Sequence, residues 1–153
     1  MQKVLVIDDE PSFRAAVSVT LRRQGYEVFE AGTGAEGLAL SLAHRPSLIL
    51  YDVNTVGTNG LELLEKFRTH PETSAVPVIL MTGAPQQAGA RFYMDCGADD
   101  YLEKPFTMDQ LLTTVRARGQ ADRTAAWISG RSSRRNGSPP VRLTSRRLAG
   151  NRP

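Results

Sequence analysis

Five short apolar runs alternate with five segments of helical periodicity in the first 119 residues of this 153-residue chain. The runs are continuously apolar or β-branched, which is typical of parallel strands covered on both faces. Strand–helix alternation predicts an α/β fold in which right-handed crossovers place helices on both sides of one sheet. The expected strands cover residues 3–7, 26–30, 48–51, 76–81 and 100–103.

An expected helix follows each strand. The first begins at Pro11 and ends at Gly25, because proline suits a first helical turn and glycine a helix end. Thr33 and Thr107 each precede a Glu or Gln by three residues, which predicts capping boxes for the second and fifth helices. We expect the third helix over residues 60–68 and the fourth over residues 86–96. One face of the first helix carries Phe13, Val17 and Leu21, and the apolar positions of the third helix are Leu61, Leu64 and Phe67. The residues expected to face inward in the second and fifth helices are Leu38, Leu42, Leu111, Leu112 and Val115.

The last 34 residues differ in composition from the rest of the chain. Residues 120–153 carry 8 arginines and one acid, a net charge of +7, whereas residues 1–119 carry 11 basic and 15 acidic side chains, a net charge of −4. Gly, Ser, Pro and Arg dominate, as in the stretch GRSSRRNGSPP. This composition predicts a basic, disordered tail behind a folded domain of residues 1–119.

The sequence also limits the compartment. No apolar run approaches the roughly 20 residues of a membrane helix, and the N-terminal stretch MQKVLVIDDE lacks the long apolar core of a signal peptide. The single cysteine, Cys96, excludes an intrachain disulfide and is compatible with a reducing environment. We therefore expect a cytoplasmic protein with no membrane contact.

Charged and hydroxyl side chains follow four of the predicted strands. Asp8 and Asp9 follow the first strand, Asp52 the third, Thr82 the fourth and Lys104 the fifth. Ligands of open parallel sheets bind at the carboxyl ends of the strands, and these ends lie along one edge of the sheet. The five side chains are therefore expected to lie close together and to form a functional site.

A cluster of carboxylates requires a cation nearby. At about 4 Å and an effective dielectric near 20, the repulsion between two carboxylates costs about 4 kcal/mol. Hard oxygen ligands without cysteine or histidine suit Mg²⁺, which favours phosphate as a partner. The two histidines, His44 and His70, are expected near helix C-termini and away from the metal. With Mg²⁺ and Lys104 neutralising the phosphoryl oxygens, Asp52 could attack phosphorus and form an acyl phosphate.

Four stretches of this sequence, VLVIDDEP, ILYDVN, VILMTGA and GADDYLEKPF, together resemble the receiver domain of two-component response regulators. The resemblance covers about residues 3–118, with the blocks in the family's order and spacing. It implies a flavodoxin-like, doubly wound sheet of five parallel strands in the order 2-1-3-4-5, with five helices. A chemotaxis receiver is a standard example of this strand order.

The resemblance assigns roles to four residues around the metal. Asp52 matches the phosphoacceptor, and Asp8 and Asp9 match the acidic pair. Asp9 is implied as a direct Mg²⁺ ligand and Asp8 as a ligand through water. Asn54, two residues after the phosphoacceptor, matches the position whose backbone carbonyl binds the metal.

Four further residues match the family's switch and phosphate-binding positions. Thr82 matches the switch hydroxyl, which could donate a hydrogen bond to the phosphoryl group. Tyr101 matches the aromatic residue whose rotamer follows the switch. Lys104 matches the lysine that pairs with the phosphate, and the bond between Lys104 and Pro105 matches a peptide bond that is cis in the family.

The chain departs from the family's pattern at two places near the phosphoacceptor. Thr55 and Val56 stand where Met-Pro or a similar pair is usual, which removes a rigid turn from the loop. Tyr51 stands where an aliphatic residue is usual. The first departure puts the geometry of the loop in question.

The implied function is a phosphorylation-controlled switch rather than a conventional enzyme. A histidine kinase or phosphotransfer protein would phosphorylate Asp52, and the surface of helix 4, strand 5 and helix 5 would change in response. Family members often form homodimers through that surface. Asp99, Asp100 and Arg116 are candidates for ion pairs across it.

Three alternatives remain open at the level of sequence. The chain could be a receiver fragment of a larger hybrid kinase, or its arginine-rich tail could bind nucleic acid through phosphates. The 34 residues of the tail are too few and too poor in apolar residues for a helix-turn-helix domain. A Mg²⁺-dependent phosphatase with Asp52 as nucleophile is a weaker alternative, because it would want a second acid nearby, and Asn54 occupies a plausible position for that acid but cannot serve as one.

Overall fold

The computed structural model describes residues 2–83 and 92–119. Within them, five parallel strands form one sheet in the order β2-β1-β3-β4-β5. This is the flavodoxin-like arrangement that the resemblance to receiver domains implies, and that expectation is confirmed. The strands are β1 Lys3–Ile7, β2 Glu27–Ala31, β3 Leu48–Asp52, β4 Val78–Thr82 and β5 Asp100–Glu103.

The helices follow the strands in the expected sequence. They are α1 Pro11–Arg23, α2 Gly34–His44, α3 Gly60–Thr69 and α5 Met108–Gly119, and residues 92–95 are also helical (α4). The predicted start of the fourth helix, residues 86–91, and the predicted disordered tail, residues 120–153, lie outside the described residues. None of the helices within the described residues combines the length and apolar character that a membrane crossing requires.

Alternate residues of the strands contribute to two cores, one on each face of the sheet. Val4 and Val6 of β1 belong to the core that packs against α1 and α5. Leu5 and Ile7 belong to the second core, which contains the apolar face of α3. Strands β3 and β4 are buried throughout, and β1 is buried after Lys3, so these strands have apolar contacts on both sides, as their continuous apolar sequences predict.

Helix α2 packs partly as predicted. Leu38 and Leu42 were expected to face inward, and Leu38 is partly buried against the second core. The buried positions of the helix, however, are Gly34, Gly37 and Ser41. A Cβ atom on Gly37 would lie 2.4 Å from Cδ1 of Ile7. The helix therefore approaches the sheet with its small residues.

Two predicted strands begin later than expected. Strand β4 begins at Val78 rather than at residue 76, because Pro77 has no N–H to donate to a neighbouring strand. The carbonyl of Pro77 still accepts a hydrogen bond from the Ile49 N–H at 3.0 Å. Strand β2 begins at Glu27, one residue later than predicted.

The two predicted capping boxes form to different extents. At α5 the box is complete, because Thr107 N–H donates to Gln110 Oε1 at 2.8 Å and Gln110 N–H donates to Thr107 Oγ1 at 3.0 Å. At α2 the Glu36 N–H donates to Thr33 Oγ1, but the Glu36 carboxylate accepts from the Gly32 N–H instead of from Thr33.

Candidate functional site

The parallel register brings the predicted site residues to one edge of the sheet. Ile7 pairs with Tyr51, so the next residues along the two chains, Asp8 and Asp52, are neighbours at the ends of β1 and β3. Asp52 pairs with Met81 and Thr82 pairs with Glu103, so the ends of β3, β4 and β5 are adjacent.

Lys104 joins two of these strand ends. Its Nζ donates to Asp52 Oδ2 at 2.7 Å and to Asp8 Oδ2 at 2.9 Å. Asp8 is fully buried and Asp52 is 6% exposed, whereas the side chain of Lys104 is 23% exposed. The ammonium therefore neutralises two carboxylates that would otherwise repel each other in a largely dry site.

Backbone N–H groups fix the remaining carboxylate oxygens. The Glu10 N–H donates to Asp8 Oδ1 at 2.9 Å, and the Asn54 N–H donates to Asp52 Oδ1 at 2.8 Å. Asp9 accepts from the Val56 N–H at 2.9 Å through Oδ2. All three acids are thus held by the chain itself, and Asp9 links the end of β1 to the loop after β3.

The protonation of the site follows from burial and from the lysine. Burial raises the pKa of Asp8 above its ordinary value, although hydrogen bonds from the Glu10 N–H and from Lys104 oppose that rise. Burial lowers the pKa of the Lys104 ammonium, but the hydrogen bonds and charges of Asp52 and Asp8 outweigh it, so the pKa is raised overall. Lys104 therefore stays charged at neutral pH.

The loop after Asp52 is tied down despite the absence of the usual Met-Pro turn. Thr55 Oγ1 donates to the Asp52 carbonyl at 2.7 Å, and the Thr58 N–H donates to the Thr55 carbonyl at 3.1 Å. Thr58 Oγ1 accepts from the Gly34 N–H at 2.9 Å. The hydroxyls of Thr55 and Thr58 therefore form hydrogen bonds in the loop whose geometry the missing Met-Pro pair had put in question.

Tyr51 forms a further hydrogen bond at the far end of the same loop, where α3 begins. The side chain is fully buried, and its hydroxyl donates to the carbonyl of Gly60 at the start of α3. Burial is the main cause of the raised pKa of this phenol. The departure from an aliphatic residue at this position thus supplies a hydrogen bond between β3 and α3.

The expected switch residues lie at β4 and β5. Thr82 is 7% exposed at the end of β4, and its carbonyl accepts from the Lys104 N–H at 2.7 Å. Tyr101 is 37% exposed in β5. The Lys104–Pro105 peptide bond is cis. A cavity of about 630 Å³ lies between the end of β5 and α5, lined in part by Tyr101, Pro105 and Phe106.

The chemistry of the acids fits a hard cation such as Mg²⁺, since Asp8, Asp9 and Asp52 offer only oxygen ligands. Within residues 2–83 and 92–119, however, no three carboxylates, imidazoles or thiolates converge as a metal-binding group. Lys104 lies between Asp8 and Asp52, and Asp9 is bonded to the Val56 N–H. Asn54 is exposed at the rim of the site.

The residues expected to form ion pairs between two copies already have partners within the chain. Asp99 pairs with Arg68 at 2.7 Å, and Asp100 pairs with Arg118 at 3.2 Å. Arg116 donates to Gln24 Oε1 at 3.0 Å. The structure therefore gives these three side chains intramolecular roles.

One contact at the site was not predicted. Nζ of Lys104 lies 3.9 Å from the centroid of the Phe13 ring. Phe13 was expected only as an apolar residue of α1. The sequence does hint at this contact, because Phe13 is only five residues after Asp8, and the first turn of α1 therefore lies close to the end of β1.

The sequence profile of the response regulator receiver domain matches residues 4–116. The chain is 33% identical over 117 residues to Protein PilH of Pseudomonas aeruginosa, covering 76% of this chain and 97% of that protein. It is 36% identical over 117 residues to the DNA-binding dual master transcriptional regulator RpaA of Synechocystis sp., covering 76% of this chain and 48% of that protein. The chain thus spans about half the length of several curated relatives that it matches.

Solved structures show the same fold. The chemotaxis response regulator CheY4 of Vibrio cholerae is 34% identical, with a TM-score of 0.71 over 76% of this chain and 98% of that one. The receiver domain of the sensor histidine kinase PA1611 of Pseudomonas aeruginosa is 24% identical, with a TM-score of 0.72 over 78% of this chain and 98% of that one. That structure is described with a magnesium ion coordinated in its active site cleft.

Proposed function

Because the chain belongs to the response regulator receiver domain family, we propose that it is a phosphorylation-controlled switch with Asp52 as phosphoacceptor. The observation that carries this proposal is the pairing of Lys104 with both Asp52 and Asp8 at the carboxyl edge of the sheet. A nucleophilic carboxylate next to a fixed cation is the arrangement that phosphoryl transfer requires.

In the proposed reaction a carboxylate oxygen of Asp52 forms a bond to the phosphorus of a phosphohistidine on a kinase or phosphotransfer protein. The phosphorus–nitrogen bond breaks, and the imidazole leaves with the bonding electrons and takes up a proton. Lys104 exchanges its hydrogen bond to Asp52 for one to a phosphoryl oxygen and so neutralises the transferred charge. The chain contributes positioning and charge stabilisation rather than turnover of a free substrate.

Asp8, Asp9, Asp52 and the backbone carbonyl of Asn54 are the proposed holders of Mg²⁺. Bound there, the ion would supply positive charge to the phosphoryl oxygens. The hydrogen bonds from Glu10, Asn54 and Val56 to these carboxylates keep their orientation before the ion binds. The magnesium described for the PA1611 receiver is consistent with this assignment.

We propose that phosphorylation shifts the conformational equilibrium of the surface formed by α4, β5 and α5, which we call the output face. Thr82 would donate to the phosphoryl group, and Tyr101 would follow by changing its rotamer. The exposure of Tyr101 and the cavity beside it leave room for that change. A target protein or a second copy of the chain would bind this face, in the cytoplasm where the family's kinases phosphorylate their receivers.

The proposal is tested by incubating the chain with acetyl phosphate, with and without Mg²⁺, and measuring intact mass. We expect a metal-dependent gain of one phosphoryl mass in the wild type and in Asp109→Asn, a matched change of an exposed acid in α5. Asp52→Asn should show no gain. Absence of labelling in the wild type, under conditions that label another receiver, would contradict the proposal.

A further inference from the structure

The ammonium of Lys104 contacts an aromatic ring as well as two carboxylates. Asp8 and Asp52 accept hydrogen bonds from its ammonium. The ring of Phe13 lies against the same ammonium, with 3.9 Å between Nζ and the ring centroid. This distance is well inside the roughly 6 Å within which a cation is attracted by the negative face of an aromatic ring.

Contacts from two elements fix the ring of Phe13. The side chain of Glu10 caps the first turn of α1 by accepting from the Phe13 N–H. The ring packs edge to face with Phe106, at 5.6 Å between centroids and 78° between planes. Both rings also contact the core shared by α1 and α5. The aromatic face that meets Lys104 is therefore not free to turn away.

We propose that Phe13 is a positioning residue for Lys104, which it keeps directed at Asp52 while the phosphoryl group is transferred. A lysine side chain is long and rich in rotamers, and its hydrogen bond to Asp52 must be released when the phosphoryl group arrives. The contact with Phe13 does not depend on that hydrogen bond, so it still limits the positions open to the ammonium at that moment. This inference rests on the proposed phosphorylation of Asp52.

An aromatic face and a merely apolar one make different predictions. Phe13→Leu keeps an apolar side chain in the position but removes the ring, whereas Phe13→Tyr keeps the ring. Phe29→Leu is a matched control, because Phe29 is also partly buried but packs on the opposite core and stacks on His44 at 4.2 Å.

The first measurement is the rate of phosphorylation by acetyl phosphate, a donor that needs no protein docking. We expect Phe13→Leu to lower the rate about 2- to 10-fold, the range that a partly exposed cation–π contact supports. Phe13→Tyr should retain the wild-type rate within about 2-fold, and Phe29→Leu should not change it. Equal rates for Phe13→Leu and wild type, or failure of Phe13→Tyr to restore the rate, would overturn the inference.

The second measurement is an NMR spectrum of the unphosphorylated protein with isotopically labelled lysine. The chain has three lysines, Lys3, Lys66 and Lys104. The ring current of Phe13 should shift the Cε protons of Lys104 upfield, and Phe13→Leu should remove the shift. A wild-type Lys104 signal at the position of an exposed lysine would refute the contact, even if Phe13→Leu failed to fold.

The two measurements separate the inference from the proposed function. If the wild type is not phosphorylated although another receiver is, the proposed function fails, and the NMR shift alone decides the contact. If the wild type is phosphorylated and Phe13→Leu behaves like it, the role of Phe13 fails and the proposed function stands.

Discussion

The Lys104 ammonium forms ion pairs with Asp8, which follows β1, and with Asp52, the last residue of β3. Asp8 is the more deeply buried of the two acids and has no exposed surface. Its burial makes the charged form costly, and this outweighs the hydrogen bonds that favour that form, so the pKa is raised. Asp8 is therefore harder to ionise in the folded protein than in the unfolded chain.

The raised pKa of Asp8 predicts a pH-dependent effect of Asp8→Asn on stability. The folded protein binds this proton more tightly than the unfolded chain, whose Asp8 titrates near 3.8. The resulting stabilisation is fully present below that pH and is lost as pH rises through the pKa of the folded state. Asp8→Asn avoids the loss, so its free energy of unfolding relative to wild type should increase from acid to neutral pH.

Urea unfolding near pH 3, below the value of 3.8 for the unfolded chain, and near pH 7 checks this prediction. The change should amount to about 1.4 kcal/mol for each unit by which the pKa of Asp8 is raised. A difference between Asp8→Asn and wild type that stays constant or shrinks toward neutral pH would show that burial does not control the charge of Asp8.

At the scale of elements, Arg68 connects one helix to the start of two strands. In the last turn of α3 it donates to the Val76 carbonyl at 2.8 Å and to Asp99 Oδ2 at 2.7 Å. Asp99 Oδ2 also accepts from the Val78 N–H at 2.8 Å, at the start of β4. These contacts position the amino ends of β4 and β5, opposite the edge that carries the site.

We predict that Arg68→Met destabilises the protein by roughly 3–5 kcal/mol, because it removes the guanidinium that pairs with the largely buried Asp99. Arg23→Met is the matched control, since Arg23 is an exposed arginine in the last turn of α1. That change should cost less than about 0.5 kcal/mol. Equal losses for the two variants in urea unfolding would contradict a structural role for the Arg68–Asp99 pair.

Elements with a strong local signal could be predicted from the sequence, and close packing could not. The continuous apolar runs predict β1 and β3 because both faces of these strands are buried. The inward face of α2 was predicted only in part. Leu38 packs against the core, but periodicity gives weight to large apolar residues, whereas Gly37 is buried because it has no side chain. The start of β4 was placed too early because the apolar run hides the missing donor of Pro77.

The same distinction applies to the site. That Asp8, Asp52 and Lys104 lie together follows from parallel strands that end at one edge, so the sequence predicts it. The contact between Phe13 and Lys104 depends on how the first turn of α1 crosses that edge. The hydrogen bonds that Tyr51 and Thr55 donate to backbone carbonyls at the two ends of the loop depend on side-chain rotamers, which no periodicity specifies.

At the scale of the whole molecule, the receiver fold accounts for most of the chain. Residues 4–116 match the family, and relatives such as PilH are matched over 97% of their length whereas RpaA is matched over 48%. The same domain thus occurs in relatives of quite different length. The proposed phosphorylation of Asp52 accordingly concerns the chemistry of this domain alone.

Reduction of the phosphorylated protein with borohydride, followed by peptide mass spectrometry, is the most direct test of phosphorylation at Asp52. An acyl phosphate on aspartate is reduced to homoserine, whereas a phosphate ester on serine or threonine is not. We predict homoserine at position 52 alone, in wild-type protein treated with acetyl phosphate and Mg²⁺. Homoserine at position 8 or 9, or a phosphoryl group that resists reduction, would contradict the assignment of Asp52 as the phosphoacceptor.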